Sequence, residues 1–259
     1  MNTLEITLTL IGGPTVLIEI AGLRLLTDPT FDEPRTYDAR GIVLEKKKGP
    51  ALAEGALGRV DAVLLSHDQH FDNLDHAGRE LLKGAATTFT TPSGAERLRG
   101  STVGLTPWQT AHLEGAGGVR ISVTATPARH GPRGIESIAG EVTGFALGVS
   151  EPGDAIYISG DTVWYDGVAE VARRFRPRLV IVFAGAARPR GPYHVTMDTN
   201  DAIETAHAFS SSSIIAVHND GWAHFTETQN DIVQAFSSLG LAARLQTLQA
   251  GRPERLVLG

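Results

Sequence analysis

The chain has 259 residues, of which 42% are hydrophobic and 20% are charged. This length and composition are typical of a folded protein and exclude collagen-like and disordered classes. The chain has no cysteine, which excludes disulfide frameworks, thiolate metal sites and cysteine nucleophiles, so any metal ion must be bound by the nine histidines or by carboxylates. The formal net charge of −6 gives no long-range attraction to nucleic acid, and we expect no nucleic-acid partner.

The hydropathy of the chain predicts a protein without a membrane span. No segment comes near the length of about 20 apolar residues that a membrane helix needs, and the first residues lack the basic and apolar regions of a signal peptide. We therefore predict a single domain over residues 1–259 with a cytoplasmic location. The composition does not indicate an oligomeric state.

The N-terminal segment predicts an antiparallel sheet. Residues 3–10 alternate polar and apolar side chains, and strands at 15–20 and 23–26 follow across glycine-containing turns. Residues 29–57 have no steady period and contain several prolines and glycines, which predicts a long loop. The three lysines at 46–48 are interpreted as part of the solvated surface of this loop.

From residue 60 onward, short apolar strands alternate with segments of helical period. The predicted strands lie at 60–65, 87–91, 119–126, 145–149, 155–159, 179–183, 214–217, 244–248 and 256–258. The predicted helices lie at 76–83, 94–98, 168–175, 198–209 and 226–239, with Asp198 as an N-cap. This order favours an α/β fold in which two sheets are covered by helices on the outside.

Four of the predicted strands end in side chains that can bind a metal ion. The first is followed by the segment 67–72, and the others by His130, Asp161 and His218. Strand ends at one edge of a sheet can bring imidazoles and carboxylates to a shared ion, and such ligands suit zinc, manganese or iron. Taken alone, His130 or His218 would more often be a half-buried, hydrogen-bonded histidine than a metal ligand. The four groups together predict a metal site.

The motifs LLSHDQHFDNLD, TPARH, ISGDT and AVHND occur in this order and resemble those of the metallo-β-lactamase superfamily. The opening TLIGGPTVLIEIAGLRLLTDPTF further resembles the branch that contains ascorbate-6-phosphate lactonase and N-acyl phosphatidylethanolamine phospholipase D type hydrolases. The resemblance implies a four-layer αβ/βα sandwich of two mixed β-sheets with helices on the outer faces. It implies a small-molecule substrate without specifying which, because the superfamily cleaves several kinds of bond on one scaffold.

The resemblance also implies one or two divalent metal ions, with zinc as the foremost candidate and manganese or iron as alternatives. Two groups of ligands would bind these ions, with Asp161 between the two. The first group is His67, His70 and His130, and the second is Asp72, Asp161 and His218.

The first motif departs twice from the family pattern His-x-His-x-Asp-His. One residue is inserted between His67 and His70, so His67 matches the first histidine only if the loop bulges; otherwise Asp68 or Gln69 faces the metal. Asn73 stands in the place of the third histidine, and its neutral amide oxygen is a poorer ligand for zinc than an imidazole. We therefore expect the second site to be weakened or displaced.

These residues predict a metal-dependent hydrolase that cleaves a small ester, lactone or phosphate-containing substrate through a metal-bound hydroxide. Asp72 and Asp28 are candidates for orienting the attacking water or carrying its proton, although Asp28 is equally well explained as a turn cap. The alternative is a degenerate member of the superfamily with a weakened metal site that acts as a binding or regulatory protein. A nuclease of the superfamily is disfavoured by the acidic net charge.

Three further residues are candidates for the substrate cleft. His194 precedes a predicted helix, so it is expected either to protonate the leaving group as a catalytic residue or to staple the start of that helix. Trp222 and His224 follow His218 closely and are predicted to bind substrate over the metal site, with core packing as the alternative for Trp222. The histidines at 76, 112 and 207 are interpreted as surface residues.

Overall fold

The computed structural model describes residues 3–39 and 41–259, which contain sixteen strands and six α-helices. In chain order the strands are β1 (Leu4–Gly12), β2 (Thr15–Ile20), β3 (Leu23–Thr27), β4 (Arg35–Asp38), β5 (Val43–Lys46), β6 (Ala62–Leu64), β7 (Thr88–Thr90), β8 (Thr102–Gly104), β9 (Thr110–Glu114), β10 (Arg120–Pro127), β11 (Thr143–Gly148), β12 (Ile156–Ile158), β13 (Leu179–Phe183), β14 (Ser213–Val217), β15 (Leu245–Gln246) and β16 (Pro253–Leu258). The helices are α1 (His76–Leu82), α2 (Pro92–Leu98), α3 (Glu136–Ala139), α4 (Asp166–Arg174), α5 (Thr199–Ala208) and α6 (Gln229–Ser238).

Two seven-stranded sheets form the centre of the fold. The strand order is β16-β1-β2-β3-β6-β7-β8 in the first sheet and β15-β14-β13-β12-β11-β10-β9 in the second. In the first sheet the pairs from β16 to β3 are antiparallel and those from β3 to β8 are parallel. In the second sheet the pairs from β9 to β12 are antiparallel and those from β12 to β15 are parallel. Both sheets are therefore mixed, as predicted.

The main core lies between the two sheets. Leu8 and Ile18 of the first sheet belong to the same buried cluster as Val123, Phe145 and Ile181 of the second sheet. Each fully buried side chain of this kind contributes about 1.5–3 kcal/mol to stability relative to an exposed one. This packing holds the two sheets face to face, so loops at one edge of both sheets can form a common site.

Helices cover the outer face of each sheet. Helices α4, α5 and α6 pack on the second sheet through a cluster that includes Val171, Ala206 and Phe236. Helix α1 packs on the first sheet, where Leu81 belongs to the same buried cluster as Leu26. The order helix, sheet, sheet, helix confirms the predicted four-layer sandwich.

None of the helices in the described part of the chain has the length and apolar character needed to cross a membrane. The single domain over residues 1–259 and the cytoplasmic location stay predictions.

The segment 29–57, predicted as a long loop, contains a hairpin formed by β4 and β5. Tyr37 and Leu44 of this hairpin are buried in one cluster with Trp222. The hairpin therefore depends on a partner that lies far along the chain, which explains why no local period revealed it. The prediction of an irregular loop is therefore wrong for residues 35–38 and 43–46, which form paired strands.

The interpretation of the three lysines as solvated surface is wrong for Lys46. Its side chain is only 4% exposed, and its Nζ lies 2.9 Å from Oδ2 of Asp75, which is itself fully buried. Side chains alternate along β5, so Lys46 faces inward together with Leu44. Lys47 and Lys48 are exposed, as expected.

Asp75 caps the start of α1 and ties it to residues 29–57. Its Oδ1 accepts hydrogen bonds from the backbone N–H groups of Gly78 at 2.8 Å and Phe31 at 3.0 Å, and its Oδ2 accepts one from Asp32 N–H at 2.7 Å. A Cβ atom on Gly78 would lie 1.9 Å from the carbonyl oxygen of Pro29, so only glycine permits this close approach. The cap and the glycine together fix the end of the first histidine motif.

The other predicted helices agree with the structure to within a few residues. The side chain of Asp198 accepts a hydrogen bond from Asp201 N–H, which confirms the predicted N-cap of α5. Helix α6 begins at 229 and not at 226 because Thr228 and Asp231 form a capping box. The short elements β8, β9 and α3 were not predicted.

Candidate metal centre

The predicted ligands follow four strands that end near one edge of the sandwich. The segment 67–72 follows β6, His130 follows β10, Asp161 follows β12 and His218 follows β14. The structure brings these side chains together in two adjacent clusters. The first contains His67, His70 and His130, and the second contains Asp72, Asp161 and His218.

The first group, the three-histidine cluster, has three ring nitrogens that face one another. Nε2 of His67 lies 2.9 Å from Nδ1 of His70, and Nε2 of His130 lies 3.1 Å from the same Nδ1. Ligand atoms about 2.0–2.1 Å from a tetrahedral zinc ion are separated by about 3.3 Å, so these three nitrogens have the spacing of ligands to one ion.

Hydrogen bonds on the far side of two rings fix their orientation. Nδ1 of His130 donates to the carbonyl oxygen of Val195 at 2.7 Å, which leaves its Nε2 with a lone pair. Nδ1 of His67 lies 2.9 Å from Oγ of Ser66. Burial lowers the pKa of His67, and it lowers the pKa of His70 to about 4, so both rings are neutral near pH 7 and can act as ligands.

The second group, the carboxylate cluster, contains Asp161, which also faces the first cluster. Oδ1 of Asp161 lies 3.4 Å from Nε2 of His218, while Oδ2 lies 3.8 Å from Nε2 of His130. Oδ2 of Asp72 is 3.6 Å from Nε2 of His218. Asp161 therefore presents one oxygen to each cluster.

The carboxylate cluster is buried and short of hydrogen-bond donors. Within residues 3–39 and 41–259, neither oxygen of Asp161 accepts a hydrogen bond of good geometry, although its side chain is only 1% exposed. Burial opposes the charge on His218, but Asp161 raises the pKa of that ring to about 10. Without a metal ion, the proton on His218 supplies the positive charge beside this carboxylate, and a divalent ion would replace that proton when His218 binds it. The donor set and its orphaned oxygens fit divalent ions.

His67 reaches the cluster, so the inserted residue is accommodated by the loop. Of the two alternatives, Asp68 turns away and pairs with Arg97, whose Nε lies 2.9 Å from Asp68 Oδ2. Gln69 lines the cleft beside the cluster. Asn73 is fully buried, and its Nδ2 lies 3.5 Å from Oγ of Ser66.

Asp28 supports the three-histidine cluster from behind. Its Oδ1 accepts hydrogen bonds from Ser66 N–H at 3.0 Å and from Ser66 Oγ at 2.5 Å, and Ser66 in turn contacts His67. Burial raises the pKa of Asp28 to about 8. Asp28 therefore contacts the three-histidine cluster through Ser66, and its roles as a proton carrier or a turn cap stay predictions. Ser66 was not singled out as a functional residue, although its place directly before His67 was a usable signal.

A cleft with a volume of about 290 Å³ opens beside both clusters. His70, Asp72 and His130 form part of its lining, together with Gln69, Arg190 and Asp38. The rest of the lining is mostly apolar. It comprises Ala39, Ile42, Leu44, Phe71, Ile135, Ile138, Ala139, Ala187, Pro189, Tyr193, Val195 and His224.

His194 does not reach the cleft, so its predicted contact with substrate needs correction. Tyr193 and Val195 line the cleft, whereas Nε2 of His194 lies 3.2 Å from Asp201 Oδ2 and its Nδ1 lies 3.6 Å from Asp198 Oδ2. Both carboxylates belong to the start of α5, and they hold the ring there. The alternative role at the start of the helix therefore matches the structure.

The structure separates the two residues predicted to bind substrate. Trp222 is buried, and its ring lies 5.5 Å from that of Tyr37 and 5.9 Å from that of His224, so it packs in the core behind the cleft. Trp222 does not line this cleft, so the core-packing alternative matches the structure, and its contact with substrate stays a prediction. His224 lines the cleft, and its Nε2 lies 2.9 Å from Oδ2 of Asp72.

Replacing His194 with glutamine is expected to reduce stability mainly at low pH. The hydrogen bond to Asp201 raises the pKa of His194 above its ordinary value of 6.5. The folded state therefore binds the proton more tightly, and this contribution of about 0.5–1 kcal/mol is present below pH 6.5 and lost as the pH rises through the raised pKa. Urea unfolding at about pH 5.5 and about pH 9 measures it. Equal losses of unfolding free energy at both pH values would show that the protonated His194 ring does not stabilise the start of α5.

Comparison with known proteins identifies the family. A family model described as "Beta-lactamase superfamily domain" matches residues 23–219. The chain belongs to the beta-lactamase superfamily. Its similarity to ascorbate-6-phosphate lactonase and the phospholipase D type hydrolases stays a prediction.

Three similar proteins match nearly the whole length of this chain. It is 24% identical over 258 residues to the UPF0173 protein YddR of Bacillus subtilis (strain 168), covering 94% of this chain and 97% of that protein. Among solved structures, an isothiocyanate hydrolase from Delia radicum gut bacteria has a TM-score of 0.83 at 21% identity and covers 97% of this chain and 99% of its own. A possible metal-dependent hydrolase from Veillonella parvula DSM 2008 has a TM-score of 0.82 at 21% identity, covering 96% and 99%. The superfamily member therefore shares the fold of proteins named as hydrolases.

Proposed function

We propose that this chain is a metal-dependent hydrolase that cleaves a small ester or lactone carrying an apolar group. The observation that carries the proposal is the pair of adjacent clusters that face Asp161 from two sides and adjoin an apolar cleft. The three-histidine cluster would hold one divalent ion, and the carboxylate cluster would hold a second. Imidazole and carboxylate ligands favour zinc, with manganese or iron as alternatives.

Bound divalent ions would activate water for attack and polarise the bond that is cleaved. The protein side chains orient the site around them. Ser66 and the carbonyl of Val195 hold the rings of His67 and His130, so that their Nε2 atoms face the cluster. Asp72 lies where the cleft meets the carboxylate cluster, and we assign its carboxylate to orienting the attacking water.

The lining of the cleft supports an uncharged substrate. Phe71, Ile138 and Val195 are among its apolar walls, and its volume of about 290 Å³ is small for a ligand site. A phosphate group is usually bound by several charge-assisted hydrogen bonds. Arg190 is the single lysine or arginine in the described lining, and Asp38 lies in the same wall. An ester or lactone therefore fits better than a phosphate-containing substrate.

The test is hydrolysis by the metal-repleted protein. We expect turnover of a short-chain nitrophenyl ester or an alkyl lactone, loss of turnover with a chelator, and recovery when zinc is added. The same assay includes bis(nitrophenyl) phosphate and, because one structural neighbour is named an isothiocyanate hydrolase, a small aryl isothiocyanate. A preference for the phosphodiester would contradict the substrate assignment.

A matched pair of histidine variants tests whether turnover depends on the clusters. His130→Ala is expected to lower metal content and activity together, whereas His112→Ala should leave both unchanged because His112 lies exposed on β9. Absence of metal uptake and turnover in the repleted wild type would instead support the alternative, a binding or regulatory protein with a degenerate site.

A further inference from the structure

The carboxylate cluster has no histidine at position 73, where the family pattern would supply one. Nδ2 of Asn73 lies 3.5 Å from Oγ of Ser66, and Ser66 contacts His67 at Nδ1, the nitrogen turned away from the three-histidine cluster. Asn73 therefore reaches the rear of the His67 ring. The carboxylate cluster is left with a single imidazole, that of His218.

His224 brings another imidazole to this cluster from a different part of the chain. Its Nε2 lies 2.9 Å from Oδ2 of Asp72, and the same oxygen lies 3.6 Å from Nε2 of His218. The 2.9 Å separation equals that between the facing nitrogens of His67 and His70. Oδ2 of Asp72 thus lies between two imidazole nitrogens, in the arrangement expected of neighbouring ligands around one ion.

The ring of His224 is held in place before any ion binds. Its side chain is 9% exposed, and it packs against Phe225 with ring centroids 4.7 Å apart. Its carbonyl oxygen accepts a hydrogen bond from Arg188 N–H at 3.0 Å, and Ala223 N–H donates to the carbonyl of Glu45 on the hairpin at 3.0 Å. The backbone on both sides of the ring is therefore anchored, as a preorganised ligand requires.

We propose that His224 is a ligand of the second metal ion and replaces the histidine that position 73 lacks. The inference rests on the proposed function, and it changes the sequence prediction that His224 binds substrate. The second ion would then be held by two carboxylates and two imidazoles, which is the number of ligands that zinc takes in proteins. The ligand atoms of Asp72, Asp161 and His218 lie within 4.8 Å of one another, and His224 adjoins this group at Asp72. The second site is therefore displaced toward the loop at 221–225 and is not weakened.

Titration of the metal-free protein with Co²⁺ and then Zn²⁺ tests the proposal without an activity assay. Wild type is expected to bind two equivalents, and His224→Ala to bind the first normally and the second at least about 100-fold more weakly, since loss even of a group that only supports a ligand costs about 10–100-fold. The visible absorption spectrum of the Co²⁺-loaded His224→Ala variant should lack the bands of the second site. His76→Ala, a histidine outside both clusters, is the matched control and should bind two equivalents.

Two further variants separate ligation from support. His224→Gln can still donate a hydrogen bond to Asp72, so recovery of the second equivalent by glutamine would overturn the proposal and leave His224 as a positioning residue. Normal binding of the first equivalent by His224→Ala and His224→Gln shows that both variants are folded. Loss of the second equivalent in Asn73→Ala would make Asn73 the ligand and overturn the proposal.

The result is distinguishable from failure of the proposed function. Two equivalents in both wild type and His224→Ala would overturn this inference and leave the hydrolase proposal intact. A single equivalent in wild type would also overturn it. Two equivalents in wild type without hydrolysis of any substrate would contradict the hydrolase proposal while leaving the ligand assignment standing.

Discussion

Replacing Asp161 with asparagine is expected to abolish hydrolysis and to reduce the metal content of the protein. Asp161 presents one oxygen to each cluster, so the amide removes a negative charge next to both ions at once. Metal ions stabilise the transition state by several kcal/mol, and loss of that stabilisation lowers kcat/KM by at least about 10³-fold. Elemental analysis after dialysis and steady-state kinetics with the preferred ester or lactone measure the two effects.

Asp154→Asn is the control for this change. Asp154 lies just before β12, and its carboxylate accepts a hydrogen bond from Val149 N–H at 2.8 Å, outside both clusters. We expect full metal content and full activity in this variant. If Asp161→Asn likewise bound two ions and hydrolysed substrate at the normal rate, Asp161 would have no bridging role.

Replacing Asp75 with alanine is expected to cause the largest loss of stability outside the core. The change leaves the Lys46 ammonium group buried without its partner, and it removes the acceptor for the backbone N–H groups of Phe31, Asp32 and Gly78. Breaking a buried ion pair in this way costs about 3–5 kcal/mol. Urea unfolding of the metal-free protein at about pH 7 measures the loss.

The exposed pair of Lys48 and Asp220 provides the matched comparison. These side chains are 66% and 64% exposed, so Asp220→Ala should change stability by less than about 1 kcal/mol. Lys46→Met should cost less than Asp75→Ala, because Asp75 keeps its three backbone donors. If Asp75→Ala and Asp220→Ala lowered the free energy of unfolding equally, the buried ion pair would stabilise the protein no more than the exposed one.

The parts of the fold that follow local patterns were predictable from the sequence. The apolar strands and the N-cap at Asp198 are properties of neighbouring residues, and the structure matches both. The candidate ligands were predictable because each group of them comes shortly after the end of a strand. The side chain of His67 faces the cluster although a residue is inserted after it, because the loop 67–72 absorbs the extra residue while Asp68 turns to Arg97.

The remaining features depend on contacts between distant parts of the chain. The hairpin of β4 and β5 is buried against Trp222, and Lys46 is buried because Asp75 lies opposite, so neither feature has a local signature. The same holds for His224, which approaches Asp72 from a loop that lies 152 residues further along the chain. The two roles of His194 could not be separated because a histidine before a helix has the same sequence signature whether it faces a cleft or the helix.

The pairing of β1 with β16 has a consequence for how the protein folds. Leu4 pairs with Leu258, so the first sheet is completed by the strand at 253–258, which is synthesised last among its members. Until that strand emerges from the ribosome, β1 keeps one edge unpaired and open to other chains. The first sheet is therefore completed late in synthesis, and this large sequence separation between paired strands slows folding. A nascent or truncated chain would expose β1 to aggregation while most of its other strands are already made.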